Sequence, residues 1–219
     1  MTGKTEERRR EILASILPHV VFDGWTLHAM KAGAEDMKLE DGELFRHFPR
    51  GAADVIAFFS READKAMLEE LAKLDLPSMR VRDKVAAAVQ LRLSAVEAEK
   101  EAVRRGVAFF ALPVNAPLGL TCLYRTVDAI WQGIGDRSTD YNFYTKRLLL
   151  SGVYSSTLIH WLDDKSEGHD ASWQFLDRRI DEVLKIGGRL GKGIGQLLNL
   201  PDRIIAKRGR GPFRNRPVH

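Results

Sequence analysis

The sequence predicts an all-α protein: a three-helix N-terminal head, a larger helical body and a C-terminal amphipathic helix. Apolar residues recur at three- and four-residue steps, as in Ile12, Leu13, Ile16, Leu17 and Val20, which lines one helix face. Turn residues such as Gly24, Pro49 to Gly51 and Pro77 punctuate these periodic stretches. No stretch of four or more residues shows the strict alternation of a half-buried strand.

The elements follow in order. The first helix covers about 5–23 and stops at Gly24, with Trp25 plugging the head's core. Thr26 can cap a second helix running to about Met37, and a third covers Asp41 to His47. A long helix from Ala52 to about Leu74 carries a stripe of Val55, Phe59, Ala63, Met67, Leu71 and Leu74. A fifth spans about 80–99 with Val81, Val85, Val89, Leu93 and Val96 on one face. Further helices are expected over about 102–112, 118–134, 138–162, 172–186 and 188–206. The divisions are a head (1–50), a helical body (51–187), an amphipathic helix (188–208) and a basic disordered tail (209–219).

A chain of 219 residues with 44% hydrophobic and 29% charged residues can bury a sizeable core. The single cysteine, Cys122, excludes an internal disulfide and a Cys-rich zinc site; it suits a small buried position. The most apolar stretch, Val107 to Tyr124, is interrupted by Pro113, Asn115 and Pro117. Two helices meeting at a buried corner fit it better than a membrane span, which needs about 20 apolar residues. Charge is uneven: from Lys185 to His219 nine basic residues face one acid, +8, leaving −4 for the rest of a chain of net +4. The first residues, MTGKTEERRREIL, lack the apolar core of a secretory signal and carry Glu6 and Glu7. They read as the start of a cytoplasmic protein, one that associates peripherally with the inner membrane.

No catalytic constellation is evident, so an enzyme is not expected. The His160 to Asp170 segment is rich in His, Asp and Glu but lacks His-Glu-x-x-His or Glu-x-x-His spacing. It reads as a solvated connector, with no cofactor or metal implied. Asp128, Trp131 and Gly135 share one helix face at steps of three and four. An exposed Trp there would suit a partner-binding hot spot; a buried core tryptophan is the alternative. Ile186, Arg189, Leu190, Lys192, Ile194, Leu197 and Leu198 form an apolar stripe with basic flanks, the pattern of a helix lying in an anionic membrane interface. Gly187, Gly188, Gly191, Gly193 and Gly195 weaken it as an isolated helix.

Gly42, Leu44, Phe45, His47 and Phe48 within DGELFRHFPRGAADVI resemble the helix-turn-helix closure of the TetR family of transcriptional regulators. That likeness covers about residues 8–60. Glu40, Asp41 and Glu43 open the would-be recognition helix and would face the DNA polyanion, so specific DNA binding is not expected.

Three later segments are similar to the lipid-binding accessory family of ubiquinone synthesis, coenzyme Q biosynthesis protein nine. They are ALPVNAP (Ala111 to Pro117), the block from Val127 to Tyr154, and SWQFLDRRIDEVLKIG (Ser172 to Gly187). Within the central block the carrying residues are Asp128, Trp131, Gly135, Asp136, Ser138, Thr139, Asp140, Asn142, Tyr144, Thr145 and Arg147, while Gln132 and Gly133 stand where that family has aromatics. With the head, the likeness covers about residues 8–205.

The resemblance implies a TetR-like fold kept by a non-catalytic protein that binds an isoprenoid quinone precursor and presents it to a di-iron ring hydroxylase. It implies a homodimer, a terminal helix on an anionic membrane surface, and Asp128, Trp131 and Gly135 as the face toward the hydroxylase. Phe109, Phe110, Leu112, Pro113, Leu118, Leu123, Tyr144 and Tyr154 are then the lipid-binding candidates. The same apolar residues read equally as plain core. A TetR-type regulator with a hydrophobic ligand pocket is the second functional reading.

Overall fold

The computed structural model describes residues 2–136 and 141–198, without the side chains of 2, 41, 141–143 and 186–198. The described residues form nine α-helices: α1 (Thr2–Asp23), α2 (Leu27–Asp36), α3 (Asp41–His47), α4 (Ala52–Leu71), α5 (Val81–Ser94), α6 (Lys100–Ala111), α7 (Ala116–Gly133), α8 (Tyr141–Asp163) and α9 (Asp170–Leu198). Among the described residues, those up to Ile180 make one compact unit and those from Asp181 onward a second. In the second, the backbone is helical as far as Leu198.

Local chemistry explains the early boundaries. Gly24, at φ +68, ends α1 in a left-handed conformation that a side chain would disfavour. Two residues on, the Thr26 hydroxyl accepts from the Ala29 amide at 3.2 Å and starts α2. Helices α1 and α2 lie unusually close at Gly33, where an added Cβ would stand 2.7 Å from the Ile16 Cα. The Ser15 hydroxyl donates to the Gly33 carbonyl across the same contact at 2.7 Å. Ile12, Ile16 and Val20 of α1 are fully buried against Leu44 of α3, Phe48 just after it and Val55 of α4.

The first three helices are tied to the later ones by Trp25, whose indole N–H donates to the Ala102 carbonyl of α6 at 2.9 Å. Its ring also packs on Phe59 of α4, with centroids 5.4 Å apart. Helix α4 packs against α5 and α7. Gly133 of α7 meets Leu68 and Leu71 so closely that a Cβ there would stand 2.7 Å from Leu68. The corner expected at the prolines falls between α6 and α7, where the Asn115 side-chain amide donates to the Phe109 carbonyl at 3.0 Å.

Three expectations about elements change. Leu74 lies beyond the end of α4 and is exposed, as is Val81 at the start of α5, so the two stripes are each one residue shorter. Helix α5 ends at Ser94; a turn rather than a longer helix carries the buried Val96. The two helices expected over 172–206 are one continuous α9 through Gly187 and Gly188. Glycine lowers helix propensity by about 1 kcal/mol but does not forbid helical geometry, so a Gly pair is no stop by itself. Ser138, Thr139 and Asp140 of the central block, the end of the amphipathic helix and the tail lie outside the described residues.

Candidate functional site

A cavity of about 160 Å³ lies among α4, α5, α6, α7 and α8. Its apolar wall includes Trp25, Ile56, Phe59, Val96, Phe110 and Leu123. Two small residues let the wall close. An added Cβ at Gly119 would stand 2.9 Å from Phe110, and one at Gly106 would stand 3.2 Å from Ile56. An engineered apolar cavity of about 150 Å³ holds benzene. The space therefore matches one ring or one branched five-carbon unit, not a long chain.

One side of the cavity is polar. Arg92 of α5, 5% exposed, reaches the wall and donates through Nε to Asp64 Oδ1 at 2.7 Å. Its Nη2 donates to the Ser60 carbonyl at 3.2 Å. Asp64, itself 4% exposed, also accepts from the Thr126 hydroxyl at 2.7 Å and from Arg125 Nε at 3.3 Å. A charge this deep is tolerable only when paired, and Asp64 is the acceptor on which Arg92, Arg125 and Thr126 converge. Tyr154 of α8 lines the same wall at 6% exposure. Burial raises its phenol above the ordinary value, with Arg92 opposing, so the hydroxyl is a neutral donor. Burial likewise pushes the Cys122 thiol up, against Arg125, which keeps this cavity-lining cysteine in its un-nucleophilic form.

Of the eight lipid candidates, Phe110, Leu123 and Tyr154 line this cavity. Phe109 and Leu118 pack half-buried against the neighbouring core. Leu112, Pro113 and Tyr144 are exposed, Tyr144 by 70%, and the structure does not bring them to the cavity. Sequence reasoning missed Trp25, Ser60, Arg92, Cys122 and Thr126 among the lining residues. A signal existed: Arg92 falls three and seven residues after the buried Val89 and Val85, and Asp64 three and seven before Met67 and Leu71. Opposite charges on the apolar faces of two neighbouring helices announce a buried pair.

On α7, Trp131 is 8% exposed, so the expectation of a protruding tryptophan is corrected. The Lys146 ammonium lies 5.4 Å from its ring centroid. Asp128 pairs with the buried Arg147 at 2.6 Å and accepts from Gln132 at 2.6 Å. Gly135 is exposed at φ +86, in the left-handed turn that follows α7. Periodicity placed these three residues on one face, but only packing tells which side of α7 is covered. Ile186, Arg189, Leu190, Lys192, Ile194, Leu197 and Leu198 fall on the α9 backbone, with their side chains outside the described residues.

Among the described residues there is no group of three or more His, Cys, Asp or Glu side chains suited to hold a metal. No described helix is long and apolar enough to cross a membrane. The Asp-rich connector before α9 is tied to its neighbours: Asp164 Oδ2 accepts from the Ser172 amide of α9 at 2.8 Å, and His169 pairs with Glu97, in the turn before α6, at 3.0 Å.

A family model described as COQ9 matches residues 116–187, which is α7, α8 and much of α9. The ubiquinone biosynthesis protein COQ9, mitochondrial, of Drosophila melanogaster is 33% identical over 188 residues, covering 84% of this chain and 57% of that protein. The chain belongs to the COQ9 family. The human COQ9 protein is 30% identical over 189 residues, 83% of this chain and 59% of that one. The chain thus spans about three fifths of the length of these curated relatives. Both are described as mitochondrial, which overturns the cytoplasmic location expected from the first residues. The reasoning failed because one end of a chain that matches only part of its relatives carries no information on compartment. Among solved structures, a TetR transcriptional regulator from Nitrosomonas europaea superposes with a TM-score of 0.65 at 17% identity, covering 81% of this chain and 98% of that one. The fold is an all-α, TetR-like bundle.

Proposed function

We propose that this chain is a non-catalytic accessory protein of ubiquinone biosynthesis that binds an isoprenoid quinone precursor and presents it to a ring hydroxylase. The observation that carries the reading is the mostly apolar cavity among α4 to α8 in a chain of the COQ9 family. Its size fits the ring or a single isoprene unit, so a longer tail must lie outside the cavity or widen it.

In this reading α1 to α3 are a helix-turn-helix head retained as scaffold, and α4 to α8 are the ligand-binding body. The segment beyond residue 187 is an amphipathic helix that brings the body to an anionic membrane surface through its basic flanks. The protein acts as a homodimer, and the α7 surface around Asp128 and Gly135 meets the hydroxylase. Sequence-specific DNA binding is no part of the proposal: acidic Glu40, Asp41 and Glu43 open α3, and Glu43 is held by Arg8 at 3.0 Å.

Denaturing solvent extraction of the full chain purified without detergent, followed by mass spectrometry, tests the proposal. A prenylated phenol or quinone enriched over a control protein prepared in parallel is the expected result. A chain that carries no isoprenoid and takes none up from added vesicles would overturn it.

A further inference from the structure

Two hydrogen-bond donors on the cavity wall remain unused. Arg92 spends Nε on Asp64 and Nη2 on Ser60, while its Nη1 hydrogen-bonds to no described residue. The Tyr154 hydroxyl also hydrogen-bonds to no described residue, although the side chain is more than nine-tenths buried. Both residues line the same cavity of about 160 Å³. Neither atom is sealed from the cavity's space, so water or a ligand there is the acceptor open to each. A fold that keeps two such donors on one otherwise apolar wall has a place for an acceptor. Asp64 balances the Arg92 charge at 2.7 Å, which favours a neutral acceptor over an anion.

We propose that the cavity is a site for a neutral ring bearing a hydrogen-bond-accepting oxygen, bound ring-first with that oxygen toward Tyr154 and Arg92. The inference rests on the lipid-binding reading above and sharpens it. The recognised portion of the ligand is its oxygenated ring, and any hydrocarbon tail points away from the polar wall. Phe110, Leu123 and Phe59 supply the apolar contact for the ring faces, and the two donors set its orientation. An all-carbon group of the same size would fill the space and leave both donors unmet.

The test compares acetophenone with isopropylbenzene, which match in shape and differ by the carbonyl. Dissociation constants are measured by NMR titration of the full chain and of Tyr154→Phe. Losing one neutral hydrogen bond weakens acetophenone binding by about 3–10-fold. Isopropylbenzene binding is expected to stay the same or tighten. Equal changes for both ligands would reduce Tyr154 to an inert wall and overturn the proposal, as would a wild-type chain that takes isopropylbenzene but not acetophenone. Tyr154→Phe must also keep the wild-type melting temperature, because the hydroxyl has no partner within the fold; a clear drop would show that it does, which also overturns the proposal. Failure of isopropylbenzene to bind at all is a different result, and it would sink the apolar-cavity reading itself.

Discussion

Replacing Asp64 by leucine should be among the most damaging single changes in this protein. Arg92 is buried and loses its carboxylate partner at 2.7 Å, keeping the Ser60 carbonyl at 3.2 Å. Thr126 loses its acceptor at the same time. Leaving one buried charge unpaired costs about 3–5 kcal/mol. For a domain of this size about 1 kcal/mol shifts the melting temperature by roughly 2–4 °C, so a fall of about 6–20 °C is expected. Arg92→Met should cost less, because Asp64 keeps Thr126 and the half-exposed Arg125. The double variant removes both charges and restores an apolar contact. Its destabilisation should fall short of the sum of the single changes by about 1–3 kcal/mol. Urea unfolding of the four proteins, followed by circular dichroism, measures all three differences. Strict additivity, or an Asp64→Leu protein within about 1 kcal/mol of wild type, would refute the claim that Arg92 depends on this carboxylate.

Two further predictions concern the last helix. Asp164 accepts from the amides and hydroxyls of Ser166 and Ser172 at 2.5–2.8 Å. Partial desolvation opposes ionisation, but these bonds outweigh it and hold the carboxyl well below the usual carboxylate range. Its stabilising contribution is therefore present above about pH 4 and lost as pH falls toward the depressed value. Melting curves of wild type and Asp164→Asn should differ at neutral pH and converge on acidification; a constant gap would contradict the assignment. For the membrane helix, a chain ending at Lys185 should lose sedimentation with anionic vesicles, and the full chain should release them as salt screens the basic flanks. Undiminished binding of the shortened chain would remove the terminal segment from the mechanism.

Much of the secondary structure is written locally. Gly24 and Thr26, two residues apart, end one helix and begin the next, and α3 runs from Asp41 to His47 as its spacing predicts. Helical periodicity also finds the buried stripes of α1 and α4, because a residue's neighbours at three and four positions share its surface. The family likeness, too, is carried by residues read in order along the chain.

What the sequence could not decide is which apolar residues close a core and which border a space. Phe110 and Leu123 border the cavity, whereas Phe109 and Leu118 pack half-buried against the core, and nothing in residue type separates them. The distinction depends on residues distant in sequence: Trp25 reaching Ala102, and Asp64 of α4 meeting Arg92 of α5 and Thr126 of α7. Trp131 shows the same limit, since periodicity defines its helix face but burial depends on what packs against that face. Local sequence determined most of the helices, the cap at Thr26 and the main apolar faces. The tertiary structure alone decided the cavity, its polar wall and its two unmet donors, because each depends on how several separate helices pack together rather than on the local sequence of any one of them.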